Sequence, residues 1–131
     1  RISMSLKQEQ DSKLALIPKS ERYIEYMLEI MIKLPRIEKF SIGTEYKQSM
    51  YQMLSEIMIL NKIKNKSNQE AMKILDILNR IDSQLNTQRI YLRIMKKNRW
   101  IDEKKFKIAM ELIYEIGKIL GGLIKYYAKN N

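Results

Sequence analysis

The chain of 131 residues contains no cysteine and no histidine. Disulfides, thiolate chemistry and the usual zinc sites are therefore excluded, and acid–base or nucleophilic work would fall to carboxylates, Lys, Ser and Tyr. Glycine occurs four times and proline twice. That is little turn chemistry for a sheet, and it suits long helices. No Gly-rich phosphate loop is present, because Gly121-Gly122 lies deep in a helical repeat with no strand before it. No apolar run reaches the length of a membrane span and no signal peptide is visible, so a cytosolic protein without a membrane partner is expected. Arg1-Ile2-Ser3 ahead of Met4 reads as a remnant, with Met4 the native start.

What the chain has is helical periodicity. Phe106, Ala109, Ile113, Ile116, Leu120, Leu123 and Tyr127 recur at steps of three and four, which predicts a final helix from about Ile101 to Ala128 with Asp102 as its N-cap. Gly117 and Gly121 lie four apart on that helix. Each costs roughly 1 kcal/mol relative to Ala in a helix interior, so close approach of another helix is the expected reason for keeping them. Upstream, Ser20 can cap a helix running to Leu34, with Tyr23, Met27 and Ile30 on its stripe, and Pro35 stops it. A second helix is expected over Thr44 to Lys64, with Tyr46, Met50, Met53, Ile57 and Leu60 as its seam. A third runs from Asn68 to Lys97 behind a capping box of Ser67 and Glu70, with Ala71, Ile74, Leu78, Ile81, Leu85, Gln88, Leu92 and Met95 facing its partners. Gln88 is the polar interruption of that seam and reads as a register-setting core group with a local hydrogen-bond partner.

Leu75, Ile77, Ile90 and Ile94 add apolar surface beyond what one core needs and point to a second subunit. Trp100, in the last turn, is expected to plug the end of the bundle. Residues 1–18 are polar and mixed and read as a flexible N-terminal arm, leaving residues 19–131 as the folded domain. The fold class that follows is all-α, an antiparallel four-helix bundle.

Charge supplies the functional signal. The net charge is +10. The first 60 residues hold nine Lys/Arg against eight Asp/Glu, whereas residues 61–131 hold sixteen against seven, so the positive field belongs to the second half. Such asymmetry points to a polyanion, and the alternative is a solvated Lys-rich surface set by genome composition. Arg89, Arg93, Lys96, Lys97 and Arg99 close the third helix, and Lys104, Lys105 and Lys107 open the fourth. Cations near a helix C-terminus gain about 0.3–1 kcal/mol each from the dipole, which accounts for Lys96, Lys97 and Arg99. Arg89 and Arg93 lie turns earlier, and Lys104 and Lys105 sit at the wrong end of a dipole, so phosphate neutralisation is the simpler reason for them. Glu111 and Glu115 read as surface or interface charges, since the Glu-x-x-His motif of di-metal bundles is absent. No enzyme, cofactor or metal is expected.

Three stretches carry a resemblance. Leu34-Pro35-Arg36-Ile37-Glu38-Lys39-Phe40-Ser41-Ile42-Gly43 is similar to the "LPKSERFTLG" connector of a bacterial four-helix-bundle family. Gln88-Arg89-Ile90-Tyr91-Leu92-Arg93-Ile94 resembles its "LRILLRL" stretch, and Ile116-Gly117-Lys118-Ile119-Leu120-Gly121-Gly122-Leu123-Ile124-Lys125 its closing "IGRMLGGWIK". Ile17 to Tyr23 also echoes the first motif but lacks the following glycine. The family includes the accessory variability determinant (Avd) of diversity-generating retroelements and proteins encoded in ribosomal RNA intervening sequences. The resemblance implies a homopentamer of four-helix bundles that binds the element's reverse transcriptase and RNA, with DNA as a further polyanion, and supports adenine-directed mutagenic cDNA synthesis without catalysing it. By position, Arg89 and Arg93 take the paired arginines of the helix-three motif, and Lys118 and Lys125 the cationic positions of the last. Leu123 stands where the family has Trp, Gln88 where it has Leu, and Lys39 where it has Arg. A structural or protein-binding bundle of the intervening-sequence type is the competing expectation, and a Glu-based enzyme the third.

Overall fold

A computed structural model describes residues 4–129. Four long helices, α1 (Leu6–Ile32), α3 (Ile42–Leu60), α4 (Asn68–Lys97) and α5 (Glu103–Lys129), surround one core, and a single-turn helix α2 (Arg36–Lys39) bridges α1 to α3. The start of α1 lies against the end of α3, where Asn61 Nδ2 donates to the Lys13 carbonyl at 2.9 Å. It also lies against the end of α5, where the Tyr127 hydroxyl donates to Glu9. Neighbours therefore run antiparallel, with α1 and α4 each wedged between α3 and α5.

The expected arm over residues 1–18 is helix from Leu6 onward, capped by Ser5 and Gln8 in a reciprocal box. Glu9, Lys13, Leu16, Ser20, Tyr23 and Met27 form one buried stripe at alternating steps of four and three. The first members are polar, which hid the repeat. They are buried because they are paired: Glu9 meets Lys13 Nζ at 3.3 Å, and Lys13 also donates to the Ile63 carbonyl. Pro18 is carried inside the helix on the exposed side, where its missing amide leaves the Leu14 carbonyl to solvent. Ser20 is a buried interior residue of α1, not its cap. The Ile17 to Tyr23 echo lies within α1, while Leu34 to Gly43 forms the connector and its short helix. The reading of Arg1 to Ser3 falls outside the described residues.

Helix boundaries elsewhere follow local chemistry. Helix α3 ends at Leu60, four residues before the expected stop, as Asn61 turns back onto the Ile57 carbonyl. Ser67 caps α4 by accepting from the Glu70 amide at 3.2 Å, but Glu70 reaches back to the Lys66 amide, not to that of Ser67. Asp102 caps α5 by accepting from the Lys105 amide at 2.8 Å. Trp100 is half-buried against the core at the end of the bundle, next to Arg99, which turns the chain at φ 62°.

The core is aliphatic and Met-rich apart from two polar levels, the Glu9, Lys13 and Tyr127 cluster at one end and a second one nearer the middle. At the second level Tyr46 donates to Tyr23, Tyr23 donates to Gln88 Oε1 at 2.7 Å, and Gln88 Nε2 donates to Ser49 Oγ at 3.0 Å. Ser49 passes the chain to Gln84, and Gln84 to Gln52 at the surface. Gln88 is fully buried and fully partnered, as the seam required. Ile77 joins the core and Leu75 is half-buried, whereas Ile90 and Ile94 stay exposed. Among the described residues no helix is long and apolar enough to cross a membrane.

Candidate nucleic-acid interface

The basic residues divide into groups once the helices are in place. The first group lines the α4 bank of the α4/α5 groove. Its register is fixed by two contacts. At one level the Arg89 guanidinium lies over Gly117, so close that a Cβ there would sit 2.7 Å from Nη2. Farther along, Lys96 pairs with Glu103 at 3.2 Å and stands 4.9 Å above the Phe106 ring. Arg93 lies between them on the same flank and is exposed. Arg89 bonds through Nη1 to Asn86, which orients the guanidinium without neutralising it.

The second group is the outer face of α5. Lys107, Lys118 and Lys125 are exposed and lie opposite the buried Ala109, Ile113, Ile116, Leu120 and Leu123. Tyr114 and Gly121 share that face at helical spacing and are exposed too. None of the three lysines has an ion pair or hydrogen bond among the described residues. Solvated cations of this kind can neutralise phosphates and so release the counterions condensed on a nucleic acid.

The third group gathers at the end of the bundle. Arg99 and Lys105 line a hollow of about 570 Å³ together with Lys33, Lys96, Trp100 and the carboxylates Asp102 and Glu103. Lys104 is exposed on the first turn of α5, and Lys97 is exposed on the outward side of α4, away from the groove. The ten candidates thus form two adjoining surfaces, the groove bank and the α5 face, with Arg99, Lys104 and Lys105 at one end and Lys97 off to the side.

The expected reason for the glycines is corrected. Gly117 accommodates a side chain, Arg89, and not a helix backbone, and a Cβ on Gly121 would meet nothing within 4 Å among the described residues. Tyr114 was missed by sequence reasoning. It sits one turn before Lys118, at i−4, and that spacing was the available signal.

On its other flank α4 is closed by pairing. Arg80 Nε donates to Glu56 at 2.7 Å and Nη2 adds a second bond at 3.2 Å, and this hydrogen-bonded carboxylate raises the Arg80 pKa. The groove there, about 500 Å³, is lined by Ser49, Gln52, Arg80 and Gln84, whose polar groups already bond to one another or to Glu56. Among the described residues, no three carboxylates converge to hold a metal ion.

Comparison with known families decides the lineage. The family model described as bAvd-like matches residues 14–127. The chain belongs to the bAvd-like family. No curated protein and no solved structure matches it. The match begins at residue 14, within the first half of α1.

Proposed function

We propose that this bAvd-like chain is the non-catalytic accessory protein of a diversity-generating retroelement. It assembles as a homopentamer in the cytoplasm, binds the element's RNA and reverse transcriptase through its basic surface, and supports adenine-directed mutagenic cDNA synthesis. The observation that carries the reading is the pair Arg89 and Arg93, on the groove flank of α4 with no carboxylate partner among the described residues. Membership of the bAvd-like family supports the retroelement reading. Exposed Ile90 and Ile94, beside the arginines on α4, supply apolar surface for contact between subunits.

The test is co-purification of the neighbouring reverse transcriptase and RNA at graded salt. Changing Arg89, Arg93, Lys96 and Lys97 together to Gln is expected to abolish RNA retention. Partial variants should flatten the dependence of affinity on salt by about 0.7 in logarithmic slope for each single-strand phosphate no longer neutralised. Retention unchanged in the quadruple variant favours a structural or protein-binding bundle. Light scattering gives the subunit number, five being expected.

A further inference from the structure

We propose that the α4/α5 groove and the adjoining α5 face form a track for single-stranded nucleic acid, in which the Tyr114 ring stacks on an unpaired base while Arg89, Arg93, Lys118 and Lys125 hold the phosphates around it. This rests on the RNA-binding reading above and adds to it the form of the nucleic acid and a base-contacting residue.

Tyr114 is the first support. It is 65% exposed, an aromatic ring left in water where the same helix buries Tyr127. An exposed ring with cations in reach is the recurring element of single-strand sites, where stacking is sequence-tolerant because every base has a π-face; here Lys118 follows one turn on, and the hollow on the other side of Tyr114 is shared by Lys107 with Glu103, Glu111 and Glu115. A duplex offers it nothing, since its bases are already stacked and the deep major groove of A-form RNA admits no side chains.

Spacing is the second. Tyr114, Lys118, Gly121 and Lys125 follow at steps of four, three and four, so they share the outer face. From Tyr114 to Lys125 the helix rises about 16 Å at 1.5 Å per residue, the length of about five stacked nucleotides at roughly 3.4 Å each. Arg89 borders this stretch from across the groove at Gly117, and Arg93 lies one turn nearer Phe106, level with the turn that precedes Tyr114. The carboxylates on this helix set the direction. Glu111 is exposed one turn before Tyr114, and Glu115 pairs with Lys19 at 3.1 Å on the α1 side, so the strand runs from Tyr114 toward Lys125.

The floor is the third. Gly121 is exposed in a helix interior, and among the described residues nothing lies within 4 Å of a Cβ there. Between Lys118 and Lys125 it leaves the helix surface low enough for a sugar–phosphate chain to approach closely. Gly117 acts on the other bank, by letting the Arg89 guanidinium lie across α5.

The experiment is fluorescence anisotropy of the full chain with a labelled oligouridine of about 20 nucleotides and with an RNA duplex of the same length. Tyr114→Ala is expected to weaken oligouridine binding about 5- to 100-fold and to leave duplex binding unchanged. Tyr114→Phe, which keeps the ring, should bind like wild type, and Gly121→Gln, which fills the floor with a neutral side chain, should weaken the single strand alone. All four positions of the outer face are solvent-facing, and circular dichroism verifies that each variant folds. Tyr114→Ala binding oligouridine as well as wild type, or losing oligouridine and duplex equally, overturns the track. If Arg89→Gln with Arg93→Gln removes binding while the Tyr114 variants do not, the track falls and the RNA-binding reading stands. Wild type that holds neither probe overturns both.

Discussion

On the side of α4 that faces α3, Arg80 closes on Glu56 through two hydrogen bonds, and Gln84 links Ser49 to Gln52. On the side that faces α5, Arg89 and Arg93 meet no carboxylate among the described residues, and Lys96 is paired to Glu103. The same helix therefore carries one flank whose polar groups are used up inside the molecule and one whose cations are left over. The first kind of flank specifies how α3 and α4 align, because a shift of one turn would break a directed chain of donors and acceptors. The second sets the α4/α5 register only through the fit of Arg89 over Gly117 and the Lys96–Glu103 pair, and it leaves a positive field. Internal pairing and unpaired charge thus lie on opposite edges of one element, and the second edge is the one proposed above to bind RNA.

The sharpest way to break the closed flank is from inside. Gln88→Leu restores the residue that the related motif has at this position, yet here it strips Tyr23 of its acceptor and Ser49 of a donor. Denaturant unfolding should show a loss of about 2–4 kcal/mol, from two buried groups left unsatisfied. The same network should fail at high pH. Burial raises the Tyr23 pKa far above its ordinary value near 10, against smaller lowering effects of the hydrogen bond from Tyr46 and of the nearby Arg89 charge. Burial raises Tyr46 as well. A phenol whose pKa is higher folded than unfolded keeps its proton while the unfolded chain gives it up. Stability is therefore intact below about pH 10 and falls as the pH rises beyond it. Alkaline titration followed by helical circular dichroism and tyrosinate absorbance should show both signals changing together, not phenol ionisation in a folded chain.

The open flank should respond in the opposite sense. Gly121→Ala adds a methyl to empty space in a helix, so it should raise stability by up to about 1 kcal/mol. Gly117→Ala gains a similar helix term, but its methyl meets Arg89 Nη2, the mobile end of a long side chain. It should fold well and bind RNA less tightly, which separates the guanidinium's position from the fold. The smallest effect is expected at Arg80→Gln. That pair is bidentate but exposed on the arginine side, and removing it should cost less than about 1 kcal/mol by thermal unfolding with RNA affinity nearly unchanged.

The helices were legible where apolar residues mark the repeat, as in α5 and α4, whose capping residues Asp102 and Ser67 act as expected. They were not legible in the first turns of α1. There the buried stripe begins with Glu9 and Lys13, whose partners Tyr127 and Ile63 lie far along the chain. Local periodicity cannot reveal a buried charge whose justification is tertiary. The basic constellation was legible as composition, but its division was not, because the rotation of each helix about its axis decides which lysines share a surface. That rotation puts Lys97 outside the groove, brings Arg89 across α5 at Gly117 next to Lys118, and leaves Lys125 exposed two turns farther on. Gly117 and Gly121 look equivalent in the sequence and differ only in what lies opposite them.

The bond from Tyr127 to Glu9, together with the salt bridge of Glu9 to Lys13, joins the opening turns of the first helix to the closing turns of the last. Helix ends ordinarily fray independently of one another, at little free-energy cost. Here neither can loosen alone, since lifting one strands an ionised or hydroxylic group of the other in an apolar setting. The first turns of α1 and the last turns of α5 thus open and close as one cooperative unit, although 118 positions separate the residues that tie them.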